Sequence, residues 1–232
     1  MSSHWEKPRE YTARAMKGGA GNRTYERIRA GDTSWVVMQL AEESIRSEEA
    51  MSGPTPTEVP FVEMQAFLSA RGVPVPQIIH FDRELGQIWL EDLGDRQLLD
   101  ALKAQPPSQW VEGYGPALDL LVAWQQGTAS PGDDPPIAYA RSFEPQLLRW
   151  ELDHYREWRV EQQLGRTIDA ETLAALGTAF DDLVTRIGAQ PQILCHRDFQ
   201  STNIMMPPSG PVAIDFQDAL MGSWTYDLVA LL

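Results

Sequence analysis

Three polar residues near the end of the chain are spaced for chemistry on a phosphate group. Asp198 lies five residues before Asn203, and Asp215 follows a further short apolar run. An amide oxygen and a carboxylate are hard oxygen ligands, which suit Mg²⁺ bound together with nucleotide phosphates. A third carboxylate that does not bind the metal can orient a hydroxyl group and accept its proton. Phosphoryl transfer needs this division of roles, which assigns Asn203 and Asp215 to the metal and Asp198 to the base.

Short apolar runs around these residues predict the elements that hold them. Runs with the length of short strands occupy residues 193–195, 203–206 and 212–214. The sequence PPSG between the last two is typical of a turn, so they are predicted to form a hairpin. Because a hairpin brings its two ends together, Asn203 and Asp215 are expected to be neighbours. A single Asp in a turn is usually a turn former, so the prediction depends on the three residues in combination.

The chain before this region divides into a β-rich part and a helical part. Alternating apolar residues between turn signals predict strands over 11–16, 24–28, 34–40, 77–81 and 87–91. One helix is predicted between the third and fourth strands, from about Phe61 to Gly72. Helical patterns then dominate over 97–104, 108–126, 144–164 and 170–187. The fold class is therefore α+β, with a β-rich N-lobe over 1–92, a mainly helical C-lobe over 93–232 and a linker at 91–95.

A glycine-rich segment, KGGAGNR at residues 17–23, joins the first two predicted strands. Its glycines Gly18, Gly19 and Gly21 would allow the backbone to approach phosphate groups closely. Glycine-rich hairpins also occur without this function, so the segment gains weight only from the motifs downstream. It lacks the G-K-[ST] of a Walker A loop, and its strand-to-strand context excludes a Rossmann fingerprint.

Composition excludes several classes of protein. The 232 residues carry a formal net charge of −14, which argues against nucleic-acid binding and fits either a cationic substrate or simple solubility. A single cysteine rules out an internal disulfide framework, and four scattered histidines argue against zinc. The first residues have no apolar signal region, and no apolar run reaches transmembrane length. We therefore expect a cytoplasmic protein that does not bind a membrane.

The motifs near the end of the chain resemble those of a superfamily of small-molecule kinases. HRD at 196–198 with Asn203, IDF at 214–216 and YDL at 226–228 are similar to the aminoglycoside phosphotransferase and choline kinase superfamily. HRDFQSTNIM, IDFQDALMGSWTYDLVALL and GVPVPQIIHFD look most like bacterial anomeric sugar kinases. Those enzymes phosphorylate N-acetylmuramate and N-acetylglucosamine in cell-wall recycling. The resemblance covers nearly the whole chain and implies a two-lobed, protein-kinase-like fold.

The resemblance implies a role for each matching residue. Asp198 matches the catalytic base, and Asn203 and Asp215 match the metal ligands. His196 matches a residue that braces the catalytic loop, and Asp227 matches an acid that supports this loop from the following helix. Both are interpreted as structural, because buried polar groups with partners can fix a loop.

The resemblance also implies ATP and Mg²⁺ as cofactors, with ATP bound between a nucleotide-binding N-lobe and a catalytic, acceptor-binding C-lobe. The expected nucleotide-binding residues lie in the loop and the linker: Gly18, Gly19, Gly21, Asn22, Arg23, Glu91 and Leu93. The expected partner is a small-molecule acceptor, most simply an amino sugar such as N-acetylglucosamine or N-acetylmuramate. One alternative is an aminoglycoside or other amino-alcohol acceptor. Another is a catalytically inactive, pseudokinase-like module that binds nucleotide or a partner.

Two features depart from the family pattern. Protein kinases carry a Lys on the third strand that pairs with a Glu on the next helix, but here the third predicted strand has no basic residue. Glu63 is the available Glu, and Lys17, Arg23 or Arg197 could supply the missing charge. The chain also stops five residues after Asp227, where the superfamily usually continues with further helices. A truncated chain, a naturally short protein and an apolar face covered by a partner, as in a homodimer, are the three explanations.

Eight tryptophans are many for this length. Trp110, Trp124, Trp150 and Trp158 lie on predicted helices, where aromatic rings more often belong to the core than to a sugar-binding surface. We therefore expect these rings to be buried.

Overall fold

The computed structural model of the chain describes residues 5–16, 23–41 and 56–232. Its first part is an antiparallel sheet of five strands in the order β1-β2-β3-β5-β4. The strands are β1 (Thr12–Met16), β2 (Thr24–Ala30), β3 (Thr33–Gln39), β4 (Ile78–Asp82) and β5 (Gln87–Glu91). Helix α1 (Pro60–Ser69) connects β3 to β4. This order of three strands, a helix and two strands confirms the prediction for the N-lobe.

Helices dominate after the linker, as the sequence predicts. They are α2 (Leu98–Lys103), α3 (Trp110–Gly127), α4 (Pro145–Tyr155), α5 (Ala170–Gly188) and α6 (Tyr226–Leu231). The single helix predicted over 144–164 is divided, because α4 passes into a π-helical stretch at Arg156–Gln163. Arg156 pairs there with Glu161, five residues ahead, which is the spacing of a π-helix. Within the described residues, no helix has the length and apolar character to cross a bilayer.

Four short strands complete the C-lobe. They are β6 (Gln192–Cys195), β7 (Ile204–Met205), β8 (Val212–Ala213) and β9 (Leu220–Ser223). The predicted hairpin is confirmed, because β7 pairs antiparallel with β8. Strand β9 was not predicted, and it pairs antiparallel with β6. Cys195, the last residue of β6, is fully buried, and its thiol lies 3.4 Å from the carbonyl oxygen of Ser223 on β9.

One hydrophobic cluster joins the two lobes. It includes Met38 from β3 and Phe61 from α1 together with Trp124, Leu194 and Phe216 from the C-lobe. Phe61 and Phe216 stack with their ring centroids 4.9 Å apart. The sheet and the helices therefore share a core, and that core lies directly behind the loops that carry the polar residues.

Trp124 is fully buried, as expected of a core residue. The same expectation is wrong for Trp110, Trp150 and Trp158, which are 39%, 43% and 55% exposed. Trp150 and Trp158 belong to the face of α4 and its π-helical extension, where both rings contact His154. Their helical spacing is real, but this face of the helix is on the surface.

Candidate active site

Asp198 lies on the loop that follows β6, and its neighbours hold it in place. Phe199 is fully buried, whereas Asp198 is exposed, so the apolar side chain anchors the loop and the carboxylate faces outward. The backbone carbonyl of Asp198 accepts hydrogen bonds from the Gln200 amide at 2.8 Å and from the Asn203 side chain at 3.0 Å. These two hydrogen bonds thus fix the carbonyl group of Asp198.

Asn203 and Asp215 are adjacent, as the hairpin prediction requires. The Asn203 carbonyl accepts a hydrogen bond from the Ile214 amide at 3.0 Å, one residue before Asp215. Because the Asn203 side-chain nitrogen is committed to Asp198, its amide oxygen is the atom left for a cation. The Asp215 side chain is 45% exposed. A carboxylate and an amide oxygen on residues that the hairpin brings together are donors of the kind that fits Mg²⁺.

Backbone conformation at this site is unusual. Arg197, with φ of 82°, and Asp215, with φ of 67°, are the two non-glycine residues with positive φ among those described. Side chains other than glycine rarely adopt this region, and such strain concentrates at functional sites. The surrounding hydrogen bonds and packing compensate for it on both sides of the site.

His196 and Asp227 form buried hydrogen bonds at the base of the loop that carries Asp198. The Asp227 carboxylate is fully buried and accepts the backbone N–H groups of His196 and Arg197 at 2.7 and 2.9 Å. His196 is also buried, and its Nε2 donates to the Ile214 carbonyl at 3.0 Å if the proton is on that nitrogen. The His196 ring therefore connects the loop of Asp198 to the strand before Asp215.

Burial sets the charge of both supporting groups. It lowers the pKa of His196 to about 4, although the charge of Asp215 opposes the shift, so the ring is neutral near pH 7. Burial raises the pKa of Asp227 to about 6, even though the two backbone N–H groups act in the opposite direction. The charge of Asp198 contributes to this rise, which indicates that the two carboxylates interact.

Gln217 holds the Asp215 side chain in place, and the sequence analysis did not predict this contact. Its buried side-chain nitrogen lies 3.0 Å from Asp215 Oδ1 and 2.8 Å from Asp218 Oδ2, so one amide group bridges two carboxylates. Gln217 lies within the stretch that resembles the sugar kinases, but an amide two residues after Asp215 carries no signal of a contact with it. Its contacts orient Asp215 toward the hairpin.

The linker is held by Arg27, which the sequence analysis also missed. This β2 residue is buried, and it binds both carboxylate oxygens of Asp92 at 2.9 and 3.0 Å. It also donates to the Gly94 carbonyl at 3.0 Å and to Asp95 at 2.7 Å. The sequence does contain a signal for this contact, because a basic residue on the core face of β2 has a charge complementary to that of the acidic linker.

The predicted nucleotide-binding residues are only partly described. Gly18, Gly19, Gly21 and Asn22 lie outside the described residues. Glu91 ends β5, where its carboxylate accepts the Gln77 backbone N–H at 3.2 Å.

Leu93 is partly buried in the linker that follows. Arg23 lies just before β2, and its Nη1 is 3.8 Å from Asp215 Oδ1, so it reaches the hairpin from the opposite lobe.

A β-rich lobe over a helical lobe, with Asp198, Asn203 and Asp215 beneath the linker, defines a protein-kinase-like phosphotransferase architecture. Residues 12–232 match the model of the phosphotransferase enzyme family, and the chain belongs to that family.

Relatives and a solved structure agree with this placement. The chain is 35% identical over 214 residues to an N-acetylmuramate/N-acetylglucosamine kinase of Pseudomonas aeruginosa, covering 91% of this chain and 56% of the relative. It is 34% identical over 184 residues to the enzyme of the same name from Pseudomonas putida, covering 78% and 51%.

The chain thus spans about half the length of these curated relatives. The GDP complex of aminoglycoside 2'-phosphotransferase-IIIa superposes with a TM-score of 0.60 at 14% identity, covering 94% of this chain and 71% of that one. This likeness shows the shared fold.

Proposed function

We propose that this chain carries the nucleotide-binding and catalytic parts of an ATP-dependent kinase that transfers the γ-phosphate to a hydroxyl of an amino sugar. The proposal rests on one observation above all. Hydrogen bonds link the loop of Asp198 to Asn203, and link Asn203 to the residue before Asp215. A base and two metal ligands in one rigid unit are what positioning a hydroxyl against a phosphate requires.

In this proposal Asp198 orients the acceptor hydroxyl and accepts its proton. The carboxylate is exposed while its backbone is held by two hydrogen bonds, so it can meet a substrate without moving the loop. General-base catalysis of this kind contributes roughly 10² to 10⁴-fold to a rate. Asp227 and His196 act through the loop, as positioning residues.

Asn203 and Asp215 would hold Mg²⁺ through an amide oxygen and a carboxylate. When bound, the ion neutralises charge on the nucleotide phosphates. Gln217 would keep Asp215 aligned, because its amide nitrogen binds one of the two carboxylate oxygens. The glycine-rich loop and Arg23 would lie over the phosphates, and the linker at Glu91 and Leu93 would border the adenine.

Amino sugars are the proposed acceptors because of the relatives. The Pseudomonas proteins are named N-acetylmuramate/N-acetylglucosamine kinases, and most of this chain aligns with each of them. A cytoplasmic location belongs to the same proposal, because the phosphate donor is ATP.

The experiment is an acceptor screen with a coupled assay for ADP. We expect Mg²⁺-dependent ADP formation with N-acetylglucosamine or N-acetylmuramate, and little with aminoglycosides or choline. Asp198→Asn should reduce turnover by about 10²-fold or more while ATP still binds.

Asp133→Asn, at an exposed position in the loop after α3, is the matched control and should keep full turnover. Turnover on aminoglycosides alone would replace the acceptor assignment. ATP binding without turnover on any acceptor would favour the inactive module.

A further inference from the structure

The third strand offers no cation to a nucleotide. Met38 on β3 is fully buried, and it packs with Phe61 and Met64 of α1 and with Phe216. This is the face of β3 from which a lysine would reach the helix in a protein kinase. Apolar packing therefore occupies the position of the usual charged pair.

The helix acid is also directed elsewhere. Glu63 on α1 accepts the backbone N–H of Ile137, in the segment after α3, at 3.2 Å. Its carboxylate thus links the helix to the C-lobe. The strand position of the usual pair is thus apolar, and the glutamate on the helix has another partner. The positive charge for the phosphates must therefore come from another element.

Arg23 brings a positive charge to Asp215 from the loop before β2, and not from β3. It lies at the end of the glycine-rich segment; its side chain is 31% exposed, and its Nη1 is 3.8 Å from Asp215 Oδ1. Tyr25, two residues along, packs against the cluster shared by the two lobes. Burial raises the pKa of Tyr25, Arg23 opposes this effect and Asp215 adds to it, so the three groups lie within range of one another.

We propose that Arg23 replaces the missing strand lysine and binds a phosphate oxygen of the nucleotide. The inference rests on the proposed function. Without nucleotide, the guanidinium pairs with Asp215. With Mg²⁺ and ATP present, the Asp215 carboxylate would contact the cation and the Arg23 guanidinium would contact the phosphate. Each charge thus exchanges one partner for another, and neither is left unpaired.

Nucleotide affinity separates this role from that of a surface ion pair. The experiment measures binding of ATP and of adenosine by calorimetry, with Mg²⁺ and without acceptor. We expect Arg23→Ala to weaken ATP binding by about ten- to a hundredfold, the effect of losing a charge-assisted contact, and to leave adenosine binding unchanged. Arg23→Lys should retain part of the affinity, because it keeps the charge and loses the planar fork.

Arg29→Ala is the matched control, because Arg29 is an exposed arginine on β2, the strand that follows Arg23, and this variant should bind ATP normally. An exposed ion pair contributes little to stability, so Arg23→Ala is expected to fold. Arg23→Gln provides a second neutral variant whose side chain keeps more of the original length.

The outcomes distinguish the inference from the proposed function. If wild-type protein binds ATP and Arg23→Ala binds it as tightly, the inference is wrong and the proposed function stands. Equal losses for ATP and adenosine would assign Arg23 to structure and also overturn the inference. Wild-type protein that binds no nucleotide would overturn both.

Discussion

His196 and Asp227 contribute to stability with opposite pH dependence. The pKa of His196 is lowered on folding from 6.5 to about 4, so its contribution is present above pH 6.5 and is lost as the pH falls toward 4. The pKa of Asp227 is raised from 3.8 to about 6, so its contribution is present below pH 3.8 and is lost as the pH rises through 6. The two effects partly cancel in the wild-type protein.

Replacing His196 separates the two effects. His196→Gln keeps a side-chain donor for the Ile214 carbonyl but cannot take up a proton. We expect the stability difference between wild type and variant to shrink as the pH falls from 6.5 to 4, because only the wild type loses the histidine contribution. Urea unfolding of both proteins at several pH values measures this difference in the free energy of unfolding.

Gln146→Ala, at an exposed position on α4, removes no titratable group and is the control, so its effect on stability should be the same at every pH. A difference for His196→Gln that stays constant with pH would contradict a buried, neutral His196.

Between elements, Arg27 connects β2 to the linker through two ion pairs that differ in their burial. Asp92 is 8% exposed and bound through both oxygens, whereas Asp95 is 77% exposed. Removing one member of a buried ion pair leaves the other uncompensated, at a cost of about 3–5 kcal/mol. An exposed pair contributes about 0–1 kcal/mol.

We therefore expect Asp92→Asn to lower the free energy of unfolding much more than Asp95→Asn. Chemical denaturation of both variants tests this directly. Arg27→Met combined with Asp92→Leu should recover much of the loss, because no buried charge then remains. Equal effects of the two Asn variants would show that the bidentate contact does not dominate.

The position of Met38 tests whether β3 could carry the lysine that protein kinases have on this strand. Met38 is fully buried in apolar packing, so Met38→Lys should destabilise the protein by several kcal/mol or force the lysine to lose its proton. Met38→Leu conserves volume and should cost under about 1.5 kcal/mol. Thermal unfolding compares them, and a stable Met38→Lys protein that binds ATP more tightly would contradict this reading of the strand.

Sequence reasoning succeeded where one local pattern determined the outcome. The hairpin that joins Asn203 to Asp215 followed from apolar runs separated by a turn, and the five sheet strands followed from alternation. Strand β9 was missed because four residues interrupted by Gly222 carry little alternation of their own, and β6 supplies the pairing. The contacts of Arg27 join residues 65 and 68 positions apart, so complementary charge alone does not specify them. The contacts of Gln217 are local, but they depend on the backbone conformation at Asp215, whose positive φ the sequence pattern does not express.

At the scale of the molecule, the shared core couples the lobes. Phe61 from α1 stacks on Phe216, the residue directly after Asp215. Phe61→Ala should cost about 3–5 kcal/mol and leave a single unfolding transition. Hydrogen exchange should then accelerate in both β5 and β6, one strand from each lobe.

Leu118→Ala, at a 37% exposed position on α3, should have a much smaller effect. Two calorimetric transitions in the wild-type protein would show that the lobes unfold independently.

The burial of Cys195 has a practical consequence. It is the only cysteine in the sequence, and burial raises the pKa of its thiol, so the folded protein should react slowly with thiol reagents. Reaction requires β6 to separate from β9, which would also release His196 and the loop after it. The labelling rate therefore reports how often the base of the Asp198 loop opens, and saturating Mg²⁺ and ATP should slow this labelling if the proposed function is correct.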